Sequence, residues 1–175
     1  MYSNNSHHNR FQKTLEFLNQ HIDQGTSILD LGVENQLSEL MRTCGHKVEN
    51  TKGEDLDENQ TALVNSKAQV VTAFEIFEHL LSPYQILKSI KARKLVVSVP
   101  LKLWFSKAYR SKTDLRDRHF HEFEDWQFDW LLEKTGWKIV ASEKWTNPPK
   151  SFGVRSLLRY ITPRYYILYA EKINA

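Results

Sequence analysis

The feature that most constrains this chain is a repeated change of hydrophobic period. Short apolar or β-branched runs alternate with stretches whose apolar residues recur every three or four positions. Ser27-Ile28-Leu29-Asp30-Leu31-Gly32 is an apolar run closed by glycine, after which Leu37, Leu40, Met41 and Cys44 return at helical spacing up to Gly45. Lys47 to Thr51 reads as another short strand. Val70-Val71-Thr72-Ala73-Phe74 is strand-like, and the helix after it has Pro83 near its start and Ile86, Leu87 and Ile90 on one face. Lys94-Leu95-Val96-Val97-Ser98-Val99-Pro100 is the clearest strand, ended by a proline that cannot donate to a central ladder. Strands repeat every two residues and helices every 3.6, so this alternation predicts an α/β fold with a doubly wound, mainly parallel sheet. Such a sheet is covered on both faces and takes its ligand beyond the carboxyl ends of its strands.

The flanks complete the expected order. Phe11, Leu15, Leu18 and Ile22 predict an amphipathic opening helix, with the polar residues 1–10 expected to be disordered. Glu124-Asp125 opens a helix bearing Trp126, Trp130, Leu131 and Leu132 and ended by Gly136. Lys138 to Trp145 and Tyr165 to Ile173 read as two closing strands, an antiparallel pair at one edge, joined by a loop containing Pro148-Pro149 with no helix between them. Residues 101–122 form the longest segment without periodicity, rich in Lys, Arg, His and aromatic side chains. A loop of that length is more often functional than idle, and a lid or substrate-side loop is expected. No repeat or linker interrupts residues 1–175, which read as a single domain.

Composition removes several alternatives. The single cysteine, Cys44, cannot close an intrachain disulfide or supply a cysteine zinc cluster. Met1 to His8 contains no apolar stretch for a secretory signal, and no run approaches the roughly 20 apolar residues that span a bilayer, so a soluble cytoplasmic protein with no membrane span is expected. Charge is uneven. Residues 1–84 carry 6 Lys and Arg against 12 Asp and Glu, whereas residues 85–175 carry 18 against 9, so the halves are expected to face different partners or simply to present differently solvated surfaces.

Four segments in order carry a resemblance. They are Ile28-Leu29-Asp30-Leu31-Gly32, then Val70-Val71-Thr72-Ala73-Phe74-Glu75-Ile76-Phe77-Glu78-His79-Leu80, then Leu95 to Pro100, and finally His121-Glu122-Phe123 before the next helix. Together residues 27–145 resemble the class I S-adenosylmethionine-dependent methyltransferases, a Rossmann-like fold, and especially a small-molecule branch resembling ubiquinone-biosynthesis enzymes. In that family Val70–Phe74 would be the fourth strand and Leu95–Pro100 the fifth, with five strands in the core before the edge pair. The resemblance implies S-adenosylmethionine as cofactor, with Asp30, Gly32, Glu34, Asp55, Phe74 and Glu75 near it.

Two departures stand out. The family's first loop reads acidic-x-Gly-x-Gly-x-Gly, but Val33-Glu34-Asn35-Gln36 follow Gly32, so both later glycines are missing. Glu34 would set a side chain beside the cofactor's methionine moiety, while Asn35 can cap the next helix. The structural alternative makes Gly32 and Asn35 a strand-to-helix turn and nothing more. The second departure is the acidic residue that ends the second strand and accepts from the ribose hydroxyls. One register puts Asn50 or Thr51 there; another slides Glu54-Asp55-Leu56-Asp57 into place and makes Asp55 the ligand.

Methyl transfer from a sulfonium is an in-line displacement that needs positioning and, for many acceptors, one base. His119 and His121, in the run Arg116-Asp117-Arg118-His119-Phe120-His121-Glu122-Phe123, are the catalytic candidates because imidazole titrates near neutral pH. The competing role for the pair is to anchor the loop through Glu122 or a backbone carbonyl. No third ligand accompanies them in the sequence, so no metal is expected. The expected activity is methyl transfer to a small molecule, an anionic one included. Two alternatives come from other classes: a methyltransferase-fold scaffold without catalysis, motivated by the missing glycines, and a nucleic-acid-binding or nucleic-acid-modifying protein. The latter is motivated by Lys102, Lys107, Arg110, Lys112, Arg116 and Arg118 interleaved with Trp104, Phe105 and Tyr109.

Overall fold

The computed structural model describes residues 4–114, 117–146 and 153–173. Arg116 and the Pro148-Pro149 pair lie outside the described residues. The elements run α1 (Asn4–His21), β1 (Ser27–Asp30), α2 (Gln36–Thr43), β2 (Lys47–Asn50), α3 (Thr61–Asn65), β3 (Val70–Phe74), α4 (Pro83–Ser89), β4 (Lys94–Pro100), α5 (Asp125–Lys134), β5 (Trp137–Trp145), α6 (Val154–Ile161) and β6 (Tyr165–Lys172). The six strands form one sheet in the order β2-β1-β3-β4-β6-β5. The first four are parallel; β6 runs antiparallel to β4 and β5 antiparallel to β6. The expected doubly wound sheet with an antiparallel edge pair is therefore present.

Period-two alternation sorts the central strands onto two cores. From β4, Leu95, Val97 and Val99 pack on one face with Phe77, Ile86, Leu87, Phe128, Leu132 and Trp137. Val96 points to the other face, where Phe17 and Leu18 of α1, Ile22 just after it and Met41 of α2 cover the sheet. Because both faces are buried, β3 and β4 read as continuous apolar runs, which is why they were legible in the sequence.

Three expectations need correction. Helix α1 begins at Asn4, well inside the segment expected to be disordered. Its polar first turns carry no periodic signal, but extending a helix already packed through Phe17 and Leu18 costs far less than nucleating one. Val70–Phe74 is the third strand here, since among the described residues nothing between β2 and β3 adds a strand. The acidic stretch after β2 folds instead into turns held by its own carboxylates: Asp55 Oδ1 accepts from the Asp57 amide at 3.0 Å, and Asp57 accepts from the amides of Leu81 and Ser82 ahead of α4 at 2.7 and 2.9 Å. Finally, a helix does stand between the closing strands. Val154, Leu157, Leu158 and Ile161 of α6 recur at helical spacing, and none of α6 is buried.

The chain passes from β1 outward to β2 and then returns to β3 on the other side of β1. This change of direction makes the carboxyl ends of β1 and β3 a topological switch point, the place where open α/β sheets bind ligands.

Candidate functional site

At that switch point, the turn after β1 is set by Gly32. Its φ of 131° suits glycine, and a Cβ there would sit 3.6 Å from the Ile76 side chain, so backbone strain and not space demands glycine. The Gly32 amide donates to Thr51 Oγ1 at 2.7 Å. Asn35 caps α2: its Oδ1 accepts from the amides of Leu37 and Ser38, and Ser38 Oγ accepts from the Asn35 amide at 2.9 Å. The loop thus keeps a defined shape without its two missing glycines.

Asp30 is a buried strut joining three strands. Thr72 Oγ1 of β3 donates to it at 2.6 Å and Asn50 Nδ2 of β2 at 3.0 Å. Burial pushes its carboxyl up to about 6, with those two hydrogen bonds pulling in the opposite direction. Glu34 does not extend unopposed into the loop: it is exposed and ion-paired with Arg42 of α2. Asn50 ends β2 and is engaged by Asp30 and Arg42, while Asp55 is exposed in its turn five residues further on. Val33 packs against Gly53, where a Cβ would come within 2.8 Å of its Cγ1, so the loops after β1 and β2 touch.

Phe74 ends β3, and at Glu75 the chain turns with a left-handed φ of 59°, a conformation costing a non-glycine residue about 1–2 kcal/mol. Ser98 of β4 holds it twice, its carbonyl accepting from the Glu75 amide and its hydroxyl donating to the carboxylate, each at 3.0 Å. The strained turn sends Glu75 into a second region, a cavity of about 1130 Å³ that it shares with Glu78, His79, His119 and Glu122. Glu75, expected beside the cofactor, has its carboxylate in this cavity, and the next residue, Ile76, faces Gly32.

The cavity floor is built from buried carboxylates. Burial raises the pKa of Glu75, and Arg10 of α1, 3.7 Å away, and Ser98 oppose that rise. Glu78 is 1% exposed, its Oε2 has no hydrogen-bond partner, and burial followed by repulsion from Glu75 holds its pKa well above the usual carboxylate range. Its backbone carbonyl accepts from the amides of Phe120 and His121, which fixes the β4–α5 connection over the floor.

That anchoring separates the two candidate histidines. His119 lines the cavity, its ring packed on His79 and Tyr109 and its Nδ1 2.8 Å from Glu122 Oε1. Glu122 also accepts from the Tyr109 amide at 3.0 Å. Although burial pushes its pKa up, the bonds from His119 and Tyr109 outweigh this and hold it below the usual range. His121 turns elsewhere: its ring stacks on Phe123 and its buried Nε2 finds no partner. Glu78, His79 and His119 each bring one potential ligand atom within 4.8 Å of the others, a grouping that the histidine spacing did not reveal and that omits His121.

The basic segment is partly used internally. Tyr109 Oη donates to Asp117, Lys102 pairs with Glu124, and the Nε of Arg118 is buried. Lys107 and Arg110 remain at the cavity wall, where Arg155 and Arg159 of α6 join them. Arg10 and Arg164, from opposite ends of the chain, also reach the cavity and had no signal in the sequence. Among the described residues no helix is long and apolar enough to cross a membrane.

Comparison with known proteins agrees with this architecture. A family profile described as a methyltransferase domain matches residues 5–142. No curated protein sequence matches the chain. Among solved structures, 1,6-didemethyltoxoflavin-N1-methyltransferase from Burkholderia thailandensis, bound to 1,6-didemethyltoxoflavin and S-adenosylhomocysteine, superposes with a TM-score of 0.66 at 13% identity, covering 97% of this chain and 84% of that one. A methyltransferase from Archaeoglobus fulgidus gives 0.62 at 15% identity, over 93% and 94% of the two chains. Magnesium protoporphyrin IX methyltransferase from Synechocystis, with bound S-adenosylhomocysteine, gives 0.59 at 15% identity over 95% and 83%. The strand order with its switch point and the profile spanning most of the sequence converge on one assignment: this chain belongs to the class I S-adenosylmethionine-dependent methyltransferase family.

Proposed function

We propose that this protein transfers a methyl group from S-adenosylmethionine to a small molecule held in the cavity of Glu75, Glu78 and His119. The observation that carries the reading is the His119–Glu122 pair: a carboxylate 2.8 Å from Nδ1, on a histidine that faces a cavity at the carboxyl end of the sheet. An ionised Glu122 accepts a hydrogen bond from Nδ1–H and leaves the lone pair on Nε2, the arrangement of a general base. His119 removes the proton from the acceptor's nucleophile. The neutral acid forms that burial favours at Glu75 and Glu78 can donate hydrogen bonds to an acceptor oxygen. His121, packed on Phe123, serves the loop's structure.

The residues after β1 and β2 fit the cofactor. Gly32 lets backbone approach closely, Arg42 draws Glu34 aside, and Asp55 is exposed with Oδ1 committed to its turn and a second oxygen for ribose hydroxyls. Bound there, S-adenosylmethionine would supply an electrophilic methyl group. Asp30 supports the loop from beneath, and Phe74 supplies apolar surface at the end of β3. Lys107, Arg110, Arg155 and Arg159 at the wall favour an acceptor that carries an anion.

The test is release of S-adenosylhomocysteine when the protein and S-adenosylmethionine are offered panels of small phenols, amines and carboxylates. Release that depends on one panel and is lost in His119→Ala supports the reading; release equal in wild type and His119→Ala removes His119 from the mechanism.

A further inference from the structure

Helix α6 presents an apolar surface that nothing in the chain covers. Val154, Leu157 and Ile161 are 78%, 63% and 66% exposed, and with the half-buried Leu158 they occupy positions i, i+3, i+4 and i+7 of one helical face. Arg155 and Arg159 flank that face on one side and Tyr160, 62% exposed, on the other. The surface continues beyond the helix. Arg155 Nη2 lies 3.4 Å from Ser106 Oγ, which brings α6 beside the turn carrying Trp104, 72% exposed. Lys107 and Arg110 line the same cavity wall as the two arginines of α6.

We propose that α6 and Trp104 form a surface that seats in the plane of an anionic lipid bilayer. An apolar helical face flanked by arginines, with a tyrosine and a tryptophan at its margins, has the chemistry of the headgroup boundary: apolar side chains enter the acyl region, amphipathic rings sit at the interface and cations meet lipid phosphates. Charge selects this occupant over a second copy of the chain, because a two-fold contact through α6 would set Arg155 and Arg159 near their own images. A helix of eight residues is about 12 Å long, so the attachment is shallow and reversible. Val154 and Leu158 also line the cavity, so this seating places its wall at headgroup level.

Co-sedimentation of the full chain with vesicles tests this. The protein pellets with equimolar phosphatidylglycerol and phosphatidylcholine vesicles, stays in solution with phosphatidylcholine alone, and is released by high salt. Leu157→Asp with Ile161→Asp abolishes pelleting, while the circular dichroism spectrum is unchanged because both side chains are exposed. Arg155→Gln and Arg159→Gln each lower the partition coefficient about fivefold. No pelleting with anionic vesicles overturns the proposal, as does pelleting that the double aspartate variant leaves intact. A dimer in light scattering that the same variant dissolves, with no vesicle binding by the wild type, overturns it in favour of self-association. The double aspartate variant, whose two positions lie outside the cavity lining, retains wild-type cofactor affinity, so failure here is distinguishable from failure of the methyl-transfer reading.

Discussion

The loops after β1 and β2 and the cavity beyond β3 use carboxylates in opposite ways. In the loops after β1 and β2, Glu34, Asp55 and Asp57 are engaged locally, by an arginine, a turn amide and two helix-start amides. On the cavity side, Glu75, Glu78 and Glu122 are largely withdrawn from water, and the outcome depends on their partners. Glu122, given two specific donors, is held ionised; Glu75 and Glu78, crowded together with few donors, are pushed toward their neutral forms. The same side-chain chemistry thus gives turn scaffolding in one region and acid–base potential in the other.

The largest effect should come from the cavity. His119→Ala is expected to lower turnover about 10²- to 10⁴-fold with cofactor affinity unchanged, whereas His121→Ala should leave turnover near wild type and lower the melting temperature. Kinetics and thermal melts on both variants check this, and equal losses of turnover would erase the distinction between the two histidines.

Next in size is an opposition in pH dependence. Asp30 has a folded pKa of about 6 against an ordinary 3.8, so the native state binds the extra proton and stability falls as pH rises through that window. Relative to Asp30→Asn, the wild type should lose about 3 kcal/mol between roughly pH 4 and 6 and nothing further above. Glu122 has the reverse sign. Its folded value is lowered, so its contribution is present above its ordinary 4.5 and fades as pH falls through the lowered value. The stability gap between wild type and Glu122→Gln should therefore close in acid. Denaturant midpoints measured across pH 3 to 7 separate the two trends.

Smaller effects belong to the cofactor-side loop. Gly32→Ala should cost about 1–3 kcal/mol of stability from backbone strain alone, because L side chains rarely adopt its φ of 131° and the added methyl would meet Ile76 only at an ordinary contact distance. Glu34→Gly should change cofactor affinity less than about threefold, because Arg42 has already drawn that exposed side chain aside. A large gain in affinity would show that Glu34 obstructs the loop after all.

Strands β1, β3 and β4 were readable because burial on both faces leaves long apolar runs, and Asn35 was readable as a cap because capping is local chemistry. The other features depend on distant parts of the chain. Spacing alone could not part His119 from His121, since residues two apart in an extended segment point the same way; the amides of Phe120 and His121 bonding to the Glu78 carbonyl and the stack on Phe123 do that. Arg10 and Arg164 meet at the cavity only through the packing of α1 and the register of β6. Helix α6 is only eight residues long, too short a window for its apolar period to stand out beside the neighbouring prolines.

The most direct test of the central claim is calorimetric titration of S-adenosylhomocysteine into the wild type, Gly32→Asp and His119→Ala. The account predicts one-to-one binding by the wild type and by His119→Ala, with binding lost in Gly32→Asp. No heat with the wild type at millimolar ligand, or binding that Gly32→Asp leaves unchanged, would contradict the assignment of the switch point between β1 and β3 as the cofactor site.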